Sequence, residues 1–267
     1  MHSITLIQGI LLAIMAMICG FDFWLEGLYI FRPIIVCTLS GLILGDLHTG
    51  LVAGALTELA FAGLTPVGGT QPPNPILAGV MTTVIAYTSK IDAKTAIGLA
   101  LPFSFLMQYI ILFYYSAFSV INTKLEKYAD EADTKSFARL NIITTLIVGV
   151  TYGVLVFLCA YVAQAPMKEL VASMPLWLSH GFQIAGSILP AVGFGLLLKV
   201  MLKIEFVPCL IIGFVAASFS NFSNLLPVAL IGVALAMYEF FNQKNINSRQ
   251  PVVVNNEKVG DDYSEGI

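Results

Sequence analysis

A chain of 267 residues that is 58% hydrophobic and 11% charged, with a mean hydropathy of +0.87, is too poor in charge for a soluble domain, where about a quarter of residues are charged. Its 13 Lys and Arg against 16 Asp and Glu exclude the basic face that nucleic-acid binding needs. The expected class is an all-α polytopic membrane protein, a multi-pass helical bundle.

The N-terminal run MHSITLIQGILLAIMAMICGFDFWLEG lacks a basic n-region and a small-residue cleavage site, so it reads as the first membrane segment rather than a secretory signal. Spanning helices, which need about 20 apolar residues, are expected around 4–20, 96–122, 138–164, 184–202 and 224–242. Other apolar stretches are short or interrupted: 28–45 holds Pro33, 47–64 is dotted with glycine, 76–89 is brief, and 205–222 carries Glu205 and Pro208. Lipid tolerates such segments only when protein surrounds them, since backbone groups exposed to hydrocarbon go unsatisfied. Discontinuous helices and re-entrant hairpins are therefore expected.

Orientation follows from Lys and Arg in short loops. The stretch INTKLEKYADEADTKSFARL holds Lys124, Lys127, Lys135 and Arg139, and the tail holds Lys244, Arg249 and Lys258, so both are placed on the cytoplasmic side. Glu126, Asp130, Glu131 and Asp133 alternate with those cations, which makes the loop at about 123–137 a solvated mixed-charge helix or linker. The domain reading is a transmembrane region over 1–243 and a polar, disordered tail over 244–267.

Ionisable residues within apolar segments usually face a cavity, a pathway or a partner. Glu58, in GLVAGALTELAFAG, is the sharpest. Either it pairs with a nearby arginine or caps a broken helix, or it accepts hydrogen bonds from a hydroxylated solute or a proton-linked group; the second reading is preferred. Asp22, Glu26 and Arg32 lie among Phe21, Phe23, Trp24, Tyr29 and Phe31 and read as an interfacial anchor in preference to ligand contacts. Asp46 and His48, in GLILGDLHTG, read as turn and cap residues. His180 has no second histidine at helical spacing, so no metal site is expected. Cys19, Cys37, Cys159 and Cys209 stand apart among apolar residues, without CxxC or Cys/His spacing, and read as inert core thiols.

The stretch GLTPVGGTQPPNP, residues 63–75, cannot form a continuous helix, because Pro66, Pro72, Pro73 and Pro75 remove donors. Gly41, Gly45, Gly50 and Gly54 permit close helix approach. Thr65, Thr70, Gln71 and Asn74 add hydroxyl and amide groups beside Glu58, and such a set suits a sugar, whose hydroxyls both donate and accept.

The stretches FDFWLEGLYIFRPIIVCTLSGLILGDLHTGLVAGALTELAFAGLTPVGGTQPPNP, DAKTAIGLALPFS and HGFQIAGSILPAVGFGLLLKVM resemble the IIC subunit, or permease, of the mannose-family bacterial phosphotransferase system. The resemblance covers about 4–242 and is nearest the N-acetylgalactosamine and galactosamine branch. It implies the mannose-family EIIC fold in the bacterial inner membrane, a IID membrane partner in trimers of heterodimers, and cytosolic IIA and IIB that relay phosphate from phosphoenolpyruvate. This chain would be the permease and not the phosphoryl carrier; His2, His48 and His180 offer no phosphohistidine in a soluble domain.

Carried over by that resemblance, Glu58 matches the motif glutamate, and Asn74 stands where mannose-type members tend to be acidic. The expected substrate site is Glu58, Gln71 and Asn74 on the ring hydroxyls, with Thr57, Thr65 and Thr70 in support, Phe61 against the ring or acetyl group, and His180 and Gln183 completing it from the second half. No cofactor is called for, and membrane lipid is the surrounding solvent. Two rivals stay open: an ion-coupled secondary sugar transporter with Glu58 as proton site, and a structural or receptor subunit whose IID partner holds the sugar.

Overall fold

The computed structural model describes residues 3–64, 72–219 and 226–249, with backbone alone at 170 and 243–249. All regular structure among the described residues is helical. The chain divides into two compact units, Met1–Met201 and Leu202–Ile267.

The first unit opens with α1 (Leu6–Leu25), started by a capping box in which Thr5 and Gln8 satisfy each other's amides. Two short helices follow, α2 (Pro33–Leu44) and α3 (Leu47–Phe61). At 1.5 Å per residue they reach about 18 and 22 Å, short of the roughly 30 Å hydrocarbon core. They fold back on one another as an antiparallel hairpin. Gly45 ends α2 at φ 82°, a left-handed conformation that a side chain would strain. Asp46 then starts α3 by accepting from the Thr49 amide at 3.0 Å and hydroxyl at 2.6 Å, as the turn-and-cap reading anticipates. The hairpin closes tightly: a Cβ on Gly41 would lie 2.7 Å from the Cα of Gly50.

Helix α4 (Pro75–Ser89) is also about 22 Å long, yet thirteen of its fifteen residues are buried. Being apolar on every face, it can only be a core element, and it packs against α1, α2, α3 and α5. Its threonine hydroxyls are satisfied by the preceding turn, Thr82 donating to Ala78 O at 2.7 Å, Thr83 to Gly79 O at 3.1 Å and Thr88 to Val84 O at 2.8 Å.

Around that core stand the long helices. Four helices among the described residues are long and apolar enough to cross a membrane: α1, α5 (Ala93–Asp130), α6 (Thr134–Phe157) with a π-helical turn to Val162, and α8 (Leu176–Met201). Helix α5 alone spans about 57 Å and continues through the charged stretch, leaving only 131–133 as the turn into α6. The 123–137 segment therefore takes the helical of its two expected forms, with Lys127 and Glu131 at 3.7 Å. Helix α6 runs antiparallel to α1 so closely that a Cβ on Gly20 would sit 2.5 Å from the Tyr152 ring. Helix α7 (Gln164–Ser173) returns to the start of α1, where the Ile4 amide donates to Gln164 Oε1 at 2.9 Å. Helix α8 lies on α3 and α5. Large apolar side chains such as Ile7, Tyr109, Ile142 and Trp177 stand exposed on this unit, which suits lipid or a partner rather than water.

The second unit holds a 3₁₀ turn at Ile204–Phe206, α9 (Val207–Phe219) and α10 (Leu226–Arg249). Helices α9 and α10 pack on each other. Helix α10 runs on to Arg249, past the expected start of the tail at 244; the rest of that tail, 250–267, lies outside the described residues.

Candidate functional site

Antiparallel pairing of α2 with α3 brings the start of one beside the end of the other. Glu58, three residues before the end of α3, thereby meets Arg32 at the head of α2. Both Arg32 Nε, at 2.8 Å, and Arg32 Nη2 donate to Glu58 Oε1. The other carboxylate oxygen, Oε2, accepts from the Ile34 amide at 3.2 Å. Arg32 makes no side-chain cap of its own, so Glu58 supplies the acceptor that an α2 amide lacks, and a carboxylate at a helix N-terminus is also favoured by the backbone dipole. The first of the two readings of Glu58, pairing and capping, is thus the one the structure displays.

The pair is partly screened, the Glu58 side chain being 24% and Arg32 38% exposed. Arg32 opens on a cavity of about 430 Å³, within the range of small-molecule sites. Phe23, Trp24, Tyr29, Phe31 and Tyr115 form its aromatic wall; Phe61, Leu64 and the prolines 33, 72, 73 and 75 form the apolar one; Glu26 and Arg32 are its charged groups. Glu58 stands behind Arg32 rather than on the wall.

The aromatic wall hangs on the loop between α1 and α2. Asp22, buried in the last turns of α1, accepts from the Leu28 amide through one oxygen and from the Ile30 amide through the other, each at 2.6 Å. Asp22 thus acts as a buried clamp on the loop. It holds Tyr29, at φ 58°, and Phe31 in place, and Phe31 meets Phe23 edge to face at 5.2 Å.

On the proline side, Asn74 is 1% exposed and fully engaged. Its Oδ1 accepts from the Ile76 and Leu77 amides at 3.1 Å, capping α4, and its Nδ2 donates to the Tyr152 hydroxyl at 2.5 Å. Its backbone carbonyl accepts from Ser104 Oγ at 2.7 Å, and its amide donates to Ser104 O at 3.2 Å. An Asn followed by Pro at the first helical position is a helix-start signal that could have revealed this role from the sequence.

Of the other expected site residues, Phe61 is buried and lines the cavity, while Thr57 is fully buried on the α3 face that meets α2 and α4. His180 and Gln183 are exposed on α8 and are not in the cavity wall. Thr65, Thr70 and Gln71 lie outside the described residues; the segment that carries them joins two cavity-lining residues, Leu64 and Pro72. Glu26, Tyr115 and Tyr152 were not expected as site residues; Glu26 carries a local hint as a charge in apolar surroundings, whereas the two tyrosines are not set apart by their neighbours in the sequence. No group of three or more potential metal ligands occurs among the described residues.

Residues 6–238 match the family model described as the sorbose-specific IIC component of the phosphotransferase system. The chain belongs to this family. Over its whole length it is 61% identical to the whole of N-acetylgalactosamine permease IIC component 1 of Escherichia coli K12. It is 26% identical over 236 residues, 88% of each chain, to the mannose-specific EIIC component of the same strain. A solved structure of a membrane protein matches with a TM-score of 0.78 at 25% identity, covering 89% of this chain and 96% of that one. The cryo-EM structure of a mannose transporter bound to microcin E492 matches with a TM-score of 0.57 at 25% identity, covering 90% and 96%. The IIC chain is accordingly a multi-pass sugar-transport component of a phosphotransferase system, distinct from the enzymes that carry out phosphoryl transfer.

Proposed function

We propose that this IIC component binds and translocates N-acetylgalactosamine or galactosamine, with phosphorylation by a partner IIB protein as the sugar arrives. The full-length 61% identity to an N-acetylgalactosamine permease component carries the reading. The cavity in front of Arg32 and Glu58 supports it chemically.

Arg32 has five N–H donors, of which Glu58 takes those on Nε and Nη2. The remainder are available to sugar hydroxyls, so Glu58 acts through Arg32 as well as by its own charge. Phe61 and the aromatic wall offer apolar faces to the sugar ring. Thr65, Thr70 and Gln71 contribute from the segment between Leu64 and Pro72, while Asn74 and Thr57 shape the site from behind. His180 and Gln183 would join only through a rearrangement of α8.

The working complex in this reading contains a IID membrane subunit, as a heterodimer in a trimer, together with cytosolic IIB and IIA, in the bacterial inner membrane. The exposed apolar faces of α1, α5 and α8 are suited to lipid and to such a partner.

Binding of radiolabelled N-acetylgalactosamine and galactosamine to the purified IIC–IID complex tests the proposal. Glu58→Gln should abolish binding of both sugars. Unchanged affinity would remove Glu58 from the site, and uptake independent of phosphoenolpyruvate would favour ion-coupled transport instead.

A further inference from the structure

The two charged groups on the cavity wall are not equivalent. Arg32 is held by Glu58 through two donors, and that contact offsets its charge. Glu26 lines the same cavity, yet among the described residues its carboxylate has neither an ion-pair nor a hydrogen-bond partner. The segment 65–71, TPVGGTQ, contains no basic residue that could serve. The cavity therefore keeps one uncompensated negative charge, set among the rings of Trp24, Tyr29, Phe31 and Tyr115.

That placement is built rather than incidental. Glu26 closes α1 in a left-handed conformation at φ 48°, which non-glycine residues seldom adopt. Its own amide donates to Asp22 O at 2.7 Å, and Asp22 also grips the two amides that follow in the loop. The Trp24 and Tyr115 rings, 5.8 Å apart, line the same cavity. A carboxylate next to electron-rich aromatic faces is the chemistry that selects an organic ammonium, which gains a charge-assisted hydrogen bond from one and cation–π attraction from the other. A neutral acetamido N–H can also donate to the carboxylate, but it carries no positive charge and so gains neither the ion-pair attraction nor the cation–π contact.

We propose that Glu26 is a specificity-determining residue that receives the free ammonium of a 2-amino-2-deoxyhexose and so favours galactosamine over its N-acetylated form. The inference rests on the cavity being the sugar site. Because Glu26 is itself exposed to the solvent of the cavity, the charge is screened and its effect is moderate: about fivefold in selectivity, equivalent to about 1 kcal/mol.

The test is competition in cells or vesicles carrying the complete system, measuring phosphoenolpyruvate-dependent uptake of galactosamine and N-acetylgalactosamine. Glu26→Gln should lower the ratio of galactosamine to N-acetylgalactosamine uptake efficiency about fivefold, chiefly through the KM for galactosamine, and Glu26→Asp should restore most of it. The ratio is internal to each preparation, so a variant that inserts poorly still reports it, and Glu26→Ala supplies a second reading. An unchanged ratio in these variants, whether both uptakes fall together or neither does, overturns the proposal. A wild-type system that transports neither sugar overturns the parent reading instead, and this one with it.

Discussion

Arg32 and Glu58 meet as an ion pair at the head of α2, with the Glu58 carboxylate also taking the Ile34 amide. The glutamate thus ties the end of one half-crossing helix to the start of another while directing an arginine into the cavity. Neither residue is deeply buried, so the direct coupling should be modest. A double-mutant cycle on Arg32→Gln and Glu58→Gln, read by thermal unfolding in detergent, should give an interaction energy on the order of 1 kcal/mol. Transport should respond far more steeply than stability. Additive stability effects would mean that the two side chains act independently.

Asp22 offers a sharper structural test because it is buried and both its oxygens are used. Asp22→Asn replaces one acceptor with a donor facing an amide, and leaving a buried group unpaired costs roughly 1–3 kcal/mol. The loop it holds carries Tyr29, Phe31 and Arg32 to the cavity. The substitution should therefore raise the KM for sugar in addition to lowering the unfolding temperature, whereas a purely structural clamp would lower the amount of active protein at constant KM. Uptake kinetics normalised to inserted protein separate these outcomes.

Much of this arrangement was legible in the sequence. Prolines and glycines marked where apolar segments break, and α2, α3, α4 and α9 fall where short or interrupted stretches were expected. The Arg32–Glu58 contact was harder to read, because it joins residues 26 positions apart. Its trace was nevertheless there: both lie thirteen residues from Gly45, so a hairpin turning at that glycine must bring them level. The Asn74–Tyr152 bond, across 78 residues, had no comparable trace, since it depends on how α6 packs against the core. Composition identifies an amide near a carboxylate, but not whether the backbone has already claimed it.

Tyr152 is fully buried and receives the Asn74 carboxamide. Tyr152→Phe keeps the ring against Gly20 but leaves that amide N–H unpaired in the core, for a loss of roughly 1–3 kcal/mol. Gly20→Ala attacks the same place by overpacking, because its Cβ would meet the ring at 2.5 Å, at a cost of about 1–3 kcal/mol. The two substitutions act on touching groups and should be non-additive. Only Tyr152→Phe removes the bond that orients the Asn74 cap of α4, so amide hydrogen exchange at Ile76 and Leu77 should accelerate more in that variant than in Gly20→Ala at matched stability.

At the charged turn between α5 and α6, Asp133 caps the second of these helices. The Ser136 hydroxyl and amide, with the Lys135 amide and the charge of Arg139 adding to them, hold its carboxyl below the ordinary aspartate range. A carboxylate with a lowered pKa in the folded state contributes stability that is complete above the unfolded value and is lost as pH falls through the folded one. The first turn of α6 should therefore keep its amide protection from neutral pH down past the ordinary aspartate pKa, then lose it on further acidification. Asp133→Asn retains a capping side chain but does not titrate, so protection of Ser136 measured by hydrogen exchange should become independent of pH across that interval once the intrinsic exchange rate is corrected for. Parallel acid profiles in the two proteins would show that the carboxylate is not what holds this helix start.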